Sequence, residues 1–128
     1  MARLHDVVFD CQHPASLARF WAAALDGYEV APYDEAELER LRAQGIDSPE
    51  DDVTVLVEQP GVAPRLWFQQ VPETKLVKNR VHLDLECDDA SAELVRLERL
   101  GAQVLLDRTE DGLIVMTDPE GNEFCVVW

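Results

Sequence analysis

The chain opens with Arg3-Leu4-His5-Asp6-Val7-Val8, and its second half begins in the same way with Arg80-Val81-His82-Leu83-Asp84-Leu85. Each run has the composition of a strand and is followed by an apolar stretch with helical spacing that ends near a glycine. A chain that carries one pattern twice is expected to build two similar modules. If a pseudo-twofold axis relates the modules, the matching histidines, His5 and His82, converge on one site.

The first half is predicted to fold as β-α-β-β-β with one additional helix. Leu17, Phe20 and Trp21 recur at helical spacing after Pro14, which the first turn of a helix tolerates because its N–H is not needed there. Segment 34–44 has acidic residues in its first turn and arginines in its last, as the helix dipole favours, and predicts an exposed helix. The predicted strands are 3–11, 28–33, 53–58 and 65–71.

The second half is predicted to repeat the β-α-β-β-β order. Segment 80–87 alternates apolar and polar residues, so His82 and Asp84 share one face. A helix over 91–100 follows, and the turn-forming sequence Asp118-Pro119-Glu120-Gly121-Asn122 precedes the last strand. The predicted strands of this half are 80–87, 103–107, 113–117 and 123–128.

These elements predict an α+β fold in which two βαβββ modules form a curved mixed β-sheet. The main helices pack on the outer face of the sheet, and its inner face is free for a ligand. A polar loop after the helical segment 34–44 gives residues 34–52 the character of an insertion. The chain is therefore predicted to be one domain, 1–128, with module one at 1–72, a connector at 72–79 and module two at 79–128.

Composition excludes several classes of function. The chain has 11 basic and 26 acidic side chains, and its formal net charge of −15 disfavours binding to nucleic acid or to an anionic membrane surface. No apolar run is long enough to span a bilayer. Cys11, Cys87 and Cys125 are odd in number and lack CxxC spacing, which argues against a disulfide framework and favours a cytoplasmic location.

Three further motifs give the chain a family resemblance. They are Phe20-Trp21, the run Lys78-Asn79-Arg80-Val81-His82, and the turn Asp118-Pro119-Glu120-Gly121-Asn122 with the Glu123-Phe124 that follows it. With the element order and the opening Arg3-Leu4-His5, the chain resembles the glyoxalase-like branch of the vicinal oxygen chelate superfamily (glyoxalase, bleomycin resistance and dioxygenase proteins). The resemblance covers the whole chain except the insertion 34–52, and it implies that the two modules shape their sheet into a cup.

The resemblance also implies a metal site, because metal-using members bind a divalent ion through four inward side chains. The first-strand and fifth-strand positions match His5 and His82. Cys125 occupies the final-strand position, where metal-using relatives usually carry glutamate. The fourth position falls in strand 65–71, at Gln69 or at Trp67 on the same face, and glutamate is usual there too.

Two histidines with a glutamine and a cysteine differ from a set of two histidines and two glutamates. Hard divalent ions prefer carboxylate and water oxygens, whereas a histidine pair with a thiolate favours zinc or iron. Zinc, iron and nickel are thus the candidate metals. The resemblance supports the fold more strongly than it supports the metal or the isomerase chemistry.

Other residues are candidates for catalysis and for the pocket wall. His82 with Asp84 could transfer a proton in the absence of a metal, although the same residues would also suit an exposed polar sheet face. Phe9 and Trp67 could wall an apolar pocket or belong to the core. Arg80 is a candidate for contact with an anionic group.

Two functions follow from these features. The first is a glyoxalase-like enzyme, of lyase or isomerase type, acting on a small carbonyl- or hydroxyl-bearing metabolite in the cup. The second is a non-catalytic protein of the same fold that binds or sequesters small aromatic or antibiotic molecules, which the missing glutamates favour. A cup that has lost its function is a third reading. The resemblance also implies a homodimer, and a small molecule is the only other partner expected.

Overall fold

The computed structural model describes all residues from 1 to 128 and divides them into two compact units, Met1–Thr74 and Lys75–Trp128. The division lies within the predicted connector 72–79. Each unit has the order βαβββ, and the two units are called module one and module two below. The predicted α+β fold with two such modules is confirmed.

Module one contains a four-stranded mixed sheet. The order of its strands is β1-β4-β3-β2, in which β1 runs parallel to β4 and the other neighbours are antiparallel. Its elements are β1 (Asp6–Cys11), α1 (Pro14–Ala24), β2 (Glu29–Val30), α2 (Glu35–Ala43), a short 3-10 helix (Pro49–Asp51), β3 (Thr54–Glu58) and β4 (Arg65–Gln70).

Helix α1 covers one face of this sheet. Pro14 lies in its first turn, and Leu17, Phe20 and Trp21 are buried as their spacing predicts. The opposing strands bury every second residue, because consecutive side chains of a strand point to opposite faces. The buried residues of β3 and β4 are Val55, Val57, Leu66 and Phe68. The other face of the sheet, called the open face of module one below, carries the alternate residues.

Helix α2 forms where the charge pattern predicts it. Asp34 caps its N-terminus by accepting a hydrogen bond from the Glu37 N–H at 3.0 Å. Its acidic residues lie in the first turn and its arginines in the last, and Leu41 is its one buried residue. The loop predicted after it contains the short 3-10 helix Pro49–Asp51, which Ser48 caps.

Module two repeats the topology of module one. The order of its strands is β5-β8-β7-β6, and β5 is parallel to β8. Its elements are β5 (Asp84–Glu86), α3 (Ala90–Leu100), β6 (Gln103–Arg108), a 3-10 helix (Thr109–Asp111), β7 (Leu113–Thr117) and β8 (Glu123–Val127). Gly101 ends α3 in the left-handed conformation, with φ of 115°. No helix of the structure is long and apolar enough to cross a membrane.

Three strands are shorter than predicted by more than one residue. The predicted strand 80–87 reduces to Asp84–Glu86, which pairs with Cys125–Val127 of β8. The Cys125 N–H also donates to the Leu83 carbonyl at 2.9 Å, and in the same register only residues 80 and 81 would face the turn 118–122. Strand 3–11 begins only at Asp6, since its partner β4 begins at Arg65. Strand 28–33 reduces to Glu29–Val30, and Pro32, which has no N–H to donate, follows soon after.

The predicted turn before β8 is organised by a buried carboxylate. Asp118 is 3% exposed, and its side chain accepts hydrogen bonds from the N–H groups of Glu120 at 2.9 Å and Asn122 at 3.0 Å. The Asn122 side-chain amide donates to it as well, at 2.9 Å. These bonds close the loop that delivers β8 to its place between β5 and β7.

We expect the substitution Asp118→Ala to destabilise module two by about 2 kcal/mol, because it leaves several partly buried donors without an acceptor. Urea unfolding followed by circular dichroism would measure the loss. Asp26→Ala, which removes an exposed carboxylate, serves as the control and should leave the unfolding midpoint unchanged. Equal midpoints for the two variants would contradict this role of Asp118.

Candidate functional site

Three potential metal-binding side chains meet in module two. Phe124 and Val126 of β8 are buried in the core, so Cys125 lies on the opposite face of the sheet. Asp84 pairs with Cys125 in the parallel register and shares that face. His82 precedes β5, and its Nε2 lies 3.3 Å from Asp84 Oδ1. The nitrogen, oxygen and sulfur donor atoms of these three residues all lie within 4.8 Å of one another.

Solvent reaches this cluster. The side chain of His82 is 44% exposed and that of Asp84 is 60% exposed, while Cys125 is half-buried. All three are site residues predicted from the sequence, and the structure brings them together. A ligand could therefore approach the cluster without displacing the core of module two.

The Cys125 thiol holds its proton in the absence of a metal. Burial raises its pKa, the charge of Asp84 and a hydrogen bond with Asp84 raise it further, and the positive charge of Lys78 opposes them only in part. A reactive cysteine requires a lowered pKa, so this thiol is a poor nucleophile in the free protein. A bound metal ion would displace the proton, because the thiolate is the form that coordinates metals.

The segment that leads to His82 is anchored by Glu123 at the start of β8. Lys75 Nζ lies 3.0 Å from one carboxylate oxygen of Glu123, and the Asn79 N–H donates to the other at 3.0 Å. Burial of the carboxylate opposes ionisation, but these hydrogen bonds outweigh it and lower the pKa of Glu123. Arg80, predicted to line the pocket, is exposed in the segment between Asn79 and His82.

The open face of module one is organised by an ion pair. Asp6 on β1 lies opposite Arg65 on β4, and the Arg65 guanidinium donates to both Asp6 oxygens, at 2.7 and 3.0 Å. This hydrogen bonding is the largest influence on the Asp6 carboxyl, and it lowers the pKa of Asp6 to about 2. Trp67 lies beside the pair, with its ring centroid 5.7 Å from the guanidinium carbon of Arg65.

His5 occupies a different position from the one that its motif indicates. It precedes β1, its side chain is 72% exposed, and its Nδ1 lies 3.0 Å from Asp6 Oδ1. The β1 residues on the open face are Asp6, Val8 and Asp10. Asp6 is not among the site residues predicted from the sequence, although the alternation of the strand puts it on the same face as Val8.

Gln69 and Phe9, two further residues predicted for the site, lie in different surroundings. Gln69 is exposed on the open face, with its side-chain amide nitrogen 3.5 Å from Asp10 Oδ1. Phe9 points to the other face, where its ring centroid lies 4.9 Å from that of Phe68 and 5.2 Å from that of Trp21. Phe9 therefore belongs to the core of module one and does not share a face with Trp67, which corrects its assignment to the pocket wall.

A cavity of about 480 Å³ lies between the open face of module one and the insertion. Its polar wall centres on Asp52, whose side chain is fully buried. Asp52 accepts hydrogen bonds from the Tyr33 hydroxyl at 2.8 Å, Arg40 at 2.9 Å and the Thr54 N–H at 3.1 Å. Burial, followed by the bond to Asp52, raises the pKa of Tyr33, so the hydroxyl stays protonated and donates. The sequence pattern of the insertion predicts an exposed helix and loop and gives no sign of this cavity.

Two βαβββ modules with identical strand orders and an open sheet face in each define the vicinal oxygen chelate class of proteins. The sequence profile of the family described as "Glyoxalase-like domain" matches residues 6–127, and the chain belongs to this family. No curated protein matches the sequence.

Solved structures share the fold at low sequence identity. The fosfomycin resistance protein FosX from Mesorhizobium loti has 14% identity and a TM-score of 0.68, with 99% of this chain and 91% of that chain covered. A glyoxalase/bleomycin resistance protein/dioxygenase family enzyme from Burkholderia phytofirmans has 16% identity and a TM-score of 0.64, with 98% and 97% covered. A FosX variant from Listeria monocytogenes, complexed with Mn(II) and 1S,2S-dihydroxypropylphosphonic acid, has 9% identity and a TM-score of 0.63, with 99% and 89% covered.

The ion pair of module one predicts an unusual titration. We expect the Asp6 carboxyl to titrate with a pKa of about 2, and to return toward the ordinary value of 3.8 in Arg65→Gln. Because the folded-state pKa is lowered, the stabilisation by this pair is complete above the unfolded pKa and is lost as the pH falls toward 2. Carboxyl chemical shifts followed by NMR would measure both values. A wild-type pKa near 3.8 would contradict the pairing.

Proposed function

We propose that this chain is a small-molecule-binding glyoxalase-like domain whose second module holds one divalent metal ion through His82, Asp84 and Cys125. The proposal is carried by the approach of three different donor atoms to within 4.8 Å of one another on a solvent-accessible sheet face. Its substrate would be a small metabolite that bears carbonyl or hydroxyl oxygens. The reaction would be of lyase or isomerase type.

The donor set favours zinc or iron. Imidazole nitrogen and thiolate sulfur are ligands of intermediate or soft character, whereas manganese and magnesium prefer oxygen. A site with three protein ligands also leaves a coordination position for substrate or water. Nickel is the remaining candidate. The manganese bound by the FosX variant belongs to that protein, and the cysteine of this chain supports a softer metal.

The metal, when bound, would act as a Lewis acid on vicinal substrate oxygens and stabilise the negative charge that develops there. Asp84 can hold a second role, since one of its carboxylate oxygens can accept a substrate proton while the other contacts the metal. In the metal-free protein, His82 and Asp84 would transfer a proton instead, a role that the 3.3 Å between His82 Nε2 and Asp84 Oδ1 supports. His5 and Gln69 stay predicted ligands, and the effect of His5→Ala on metal affinity tests the first of them.

A non-catalytic binding function is the second candidate. The cavity of module one supports it, because a space of about 480 Å³ beside Trp67 suits a small aromatic molecule and needs no metal. Turnover of a carbonyl substrate only when metal is bound would favour the enzyme. Ligand binding with the same affinity in metal-free and metal-loaded protein, without turnover, would favour sequestration.

We expect protein purified without an affinity tag to bind one cobalt(II) ion per chain and to develop a thiolate-to-cobalt charge-transfer band. Cys125→Ser should abolish the band, and His82→Ala should weaken binding by roughly tenfold or more, because each removes one ligand. Cobalt affinity should also fall as the pH is lowered, since the Cys125 proton must leave.

Cys87→Ser is the matched control for the cobalt titration. Cys87 is also free and lies in module two, but it is not one of the three clustered donors. The variant should keep the band at full intensity. Loss of the band in Cys87→Ser, or its persistence in Cys125→Ser, would refute the proposed ligand set.

The proposal includes a homodimer in the cytoplasm. None of the three cysteines forms a disulfide, which is compatible with a reducing compartment. Strand β6 is an edge strand of module two, and it exposes three consecutive apolar residues, Val104 (41%), Leu105 (60%) and Leu106 (49%). Exposed apolar patches and unprotected strand edges are typical of contact surfaces, and a second copy of the chain would cover this one.

We expect size-exclusion chromatography with light scattering to give twice the 14.4 kDa mass of one chain. Leu105→Lys should shift the protein to the monomer, because it places a charge within the apolar contact. Val62→Lys changes another exposed apolar residue, outside β6, and should leave the dimer intact. A wild-type monomer at all concentrations would exclude the homodimer.

A further inference from the structure

The cavity of module one is built to enclose a small molecule. Its floor is the open face of strands β3 and β4, and its remaining walls come from residues 31–33 and from Glu37, Arg40 and Asp52 of the insertion. Its volume of about 480 Å³ falls within the usual range of ligand pockets, roughly 300 to 1,000 Å³. The apolar part of the lining comprises Ala31, Pro32, Leu56 and Trp67.

Trp67 gives the cavity a flat apolar surface. Its partner in the antiparallel register is Leu56, so the two side chains lie side by side on the open face. Planar ligands pack well against an aromatic ring of this kind. The guanidinium of Arg65 already lies over the Trp67 ring, at 5.7 Å from the centroid, which shows that this ring accommodates a cation.

The one arginine that lines the cavity is already neutralised. Arg40 donates from Nε to Glu37 at 3.0 Å and from one terminal nitrogen to Asp52 at 2.9 Å. Two carboxylates therefore face one guanidinium, and the buried Asp52 is further satisfied by Tyr33. The polar wall has no uncompensated positive charge to attract an anion.

Glu58 leaves a negative charge uncompensated at the other side of the cavity. Its carboxylate forms no hydrogen bond or ion pair within 4.0 Å. Arg65 donates its hydrogen bonds to Asp6 and interacts with Glu58 only through the longer-range Coulomb attraction. Glu29 on β2 lies directly opposite Glu58, and like charges at paired positions destabilise a sheet.

We propose that this cavity binds a small planar ligand that carries a positive charge, such as an amidinium or a primary ammonium group. The ring of the ligand packs against Trp67 and Leu56, and its cationic group pairs with Glu58 and relieves the repulsion from Glu29. The inference rests on the proposed function only in taking this domain to bind a small molecule. It involves no metal and none of the metal-site residues of module two.

Three probes of one shape and different charge test the proposal: benzamidine, the neutral benzamide and the anionic benzoate. Isothermal titration calorimetry in a chelating buffer should show benzamidine binding about tenfold more tightly than benzamide, the difference expected for one hydrogen bond to a charged group. Benzoate should bind more weakly than either. Equal affinities for benzamidine and benzamide would overturn the proposal.

Two variants separate the two contacts. Glu58→Gln should reduce the preference for benzamidine over benzamide to near unity, whereas Trp67→Leu should weaken both ligands by a similar factor. Glu73→Gln removes a charge from an exposed site in the same module and should keep the full preference. A preference that survives Glu58→Gln would overturn the assignment of Glu58.

The same variants keep this inference distinct from the proposed metal site. Glu58→Gln should bind cobalt(II) as the wild type does, and Cys125→Ser should bind benzamidine as the wild type does. Glu58→Gln should also unfold at a urea concentration equal to or higher than the wild-type midpoint, because it removes a like-charge repulsion. A lower midpoint would show that the variant perturbs the fold. The titrations of Glu29→Gln would then decide, because this variant should likewise lose the preference for benzamidine over benzamide.

Discussion

The parallel pairing of the first strand of each module with its last strand is the constraint on which the site geometry depends. In module two this register sets Asp84 beside Cys125, and in module one it sets Asp6 beside Arg65. Because side chains alternate between faces with a period of two, a shift of one residue would send each of these polar pairs into the core under its helix. In module one, helix α1 packs against β3 and β4 on the face where their alternate residues are buried, which fixes the face that each residue of these strands takes.

Much of the fold could be predicted from the sequence, because its signals are local. The charge order of α2, the proline of α1 and the turn at Asp118 each depend on residues close in sequence, and each is found where it was predicted. Strand ends could not be predicted in this way. The strand expected over 80–87 is polar and apolar in perfect alternation, yet it pairs only over Asp84–Glu86, because side-chain alternation does not determine which backbone groups find a partner.

The candidate site shows a similar division. The shared face of His82 and Asp84 could be predicted from strand alternation, and Cys125 could be named through the family resemblance. The repeated Arg-x-His motif led to His5, but the motif is out of phase with the strands: His82 has the same parity as Asp84 on the open face, whereas His5 has the parity of the core residue Phe9. The Tyr33–Asp52–Arg40 network joins residues that are not close in sequence, and no local pattern predicts it.

The two modules share a topology but not a chemistry, and the difference follows from one position. Where module two places a carboxylate beside a thiol, with an imidazole added from the preceding segment, module one places a carboxylate beside a guanidinium. Arg65 repels a metal cation at this distance and donates two hydrogen bonds to the Asp6 carboxylate, so Asp6 is not available as a metal ligand. Module two has no such cation against Asp84, and its donors stay available. In the two proposals, the module with the available donors holds a metal and the other module holds an organic ligand, without any change in strand order.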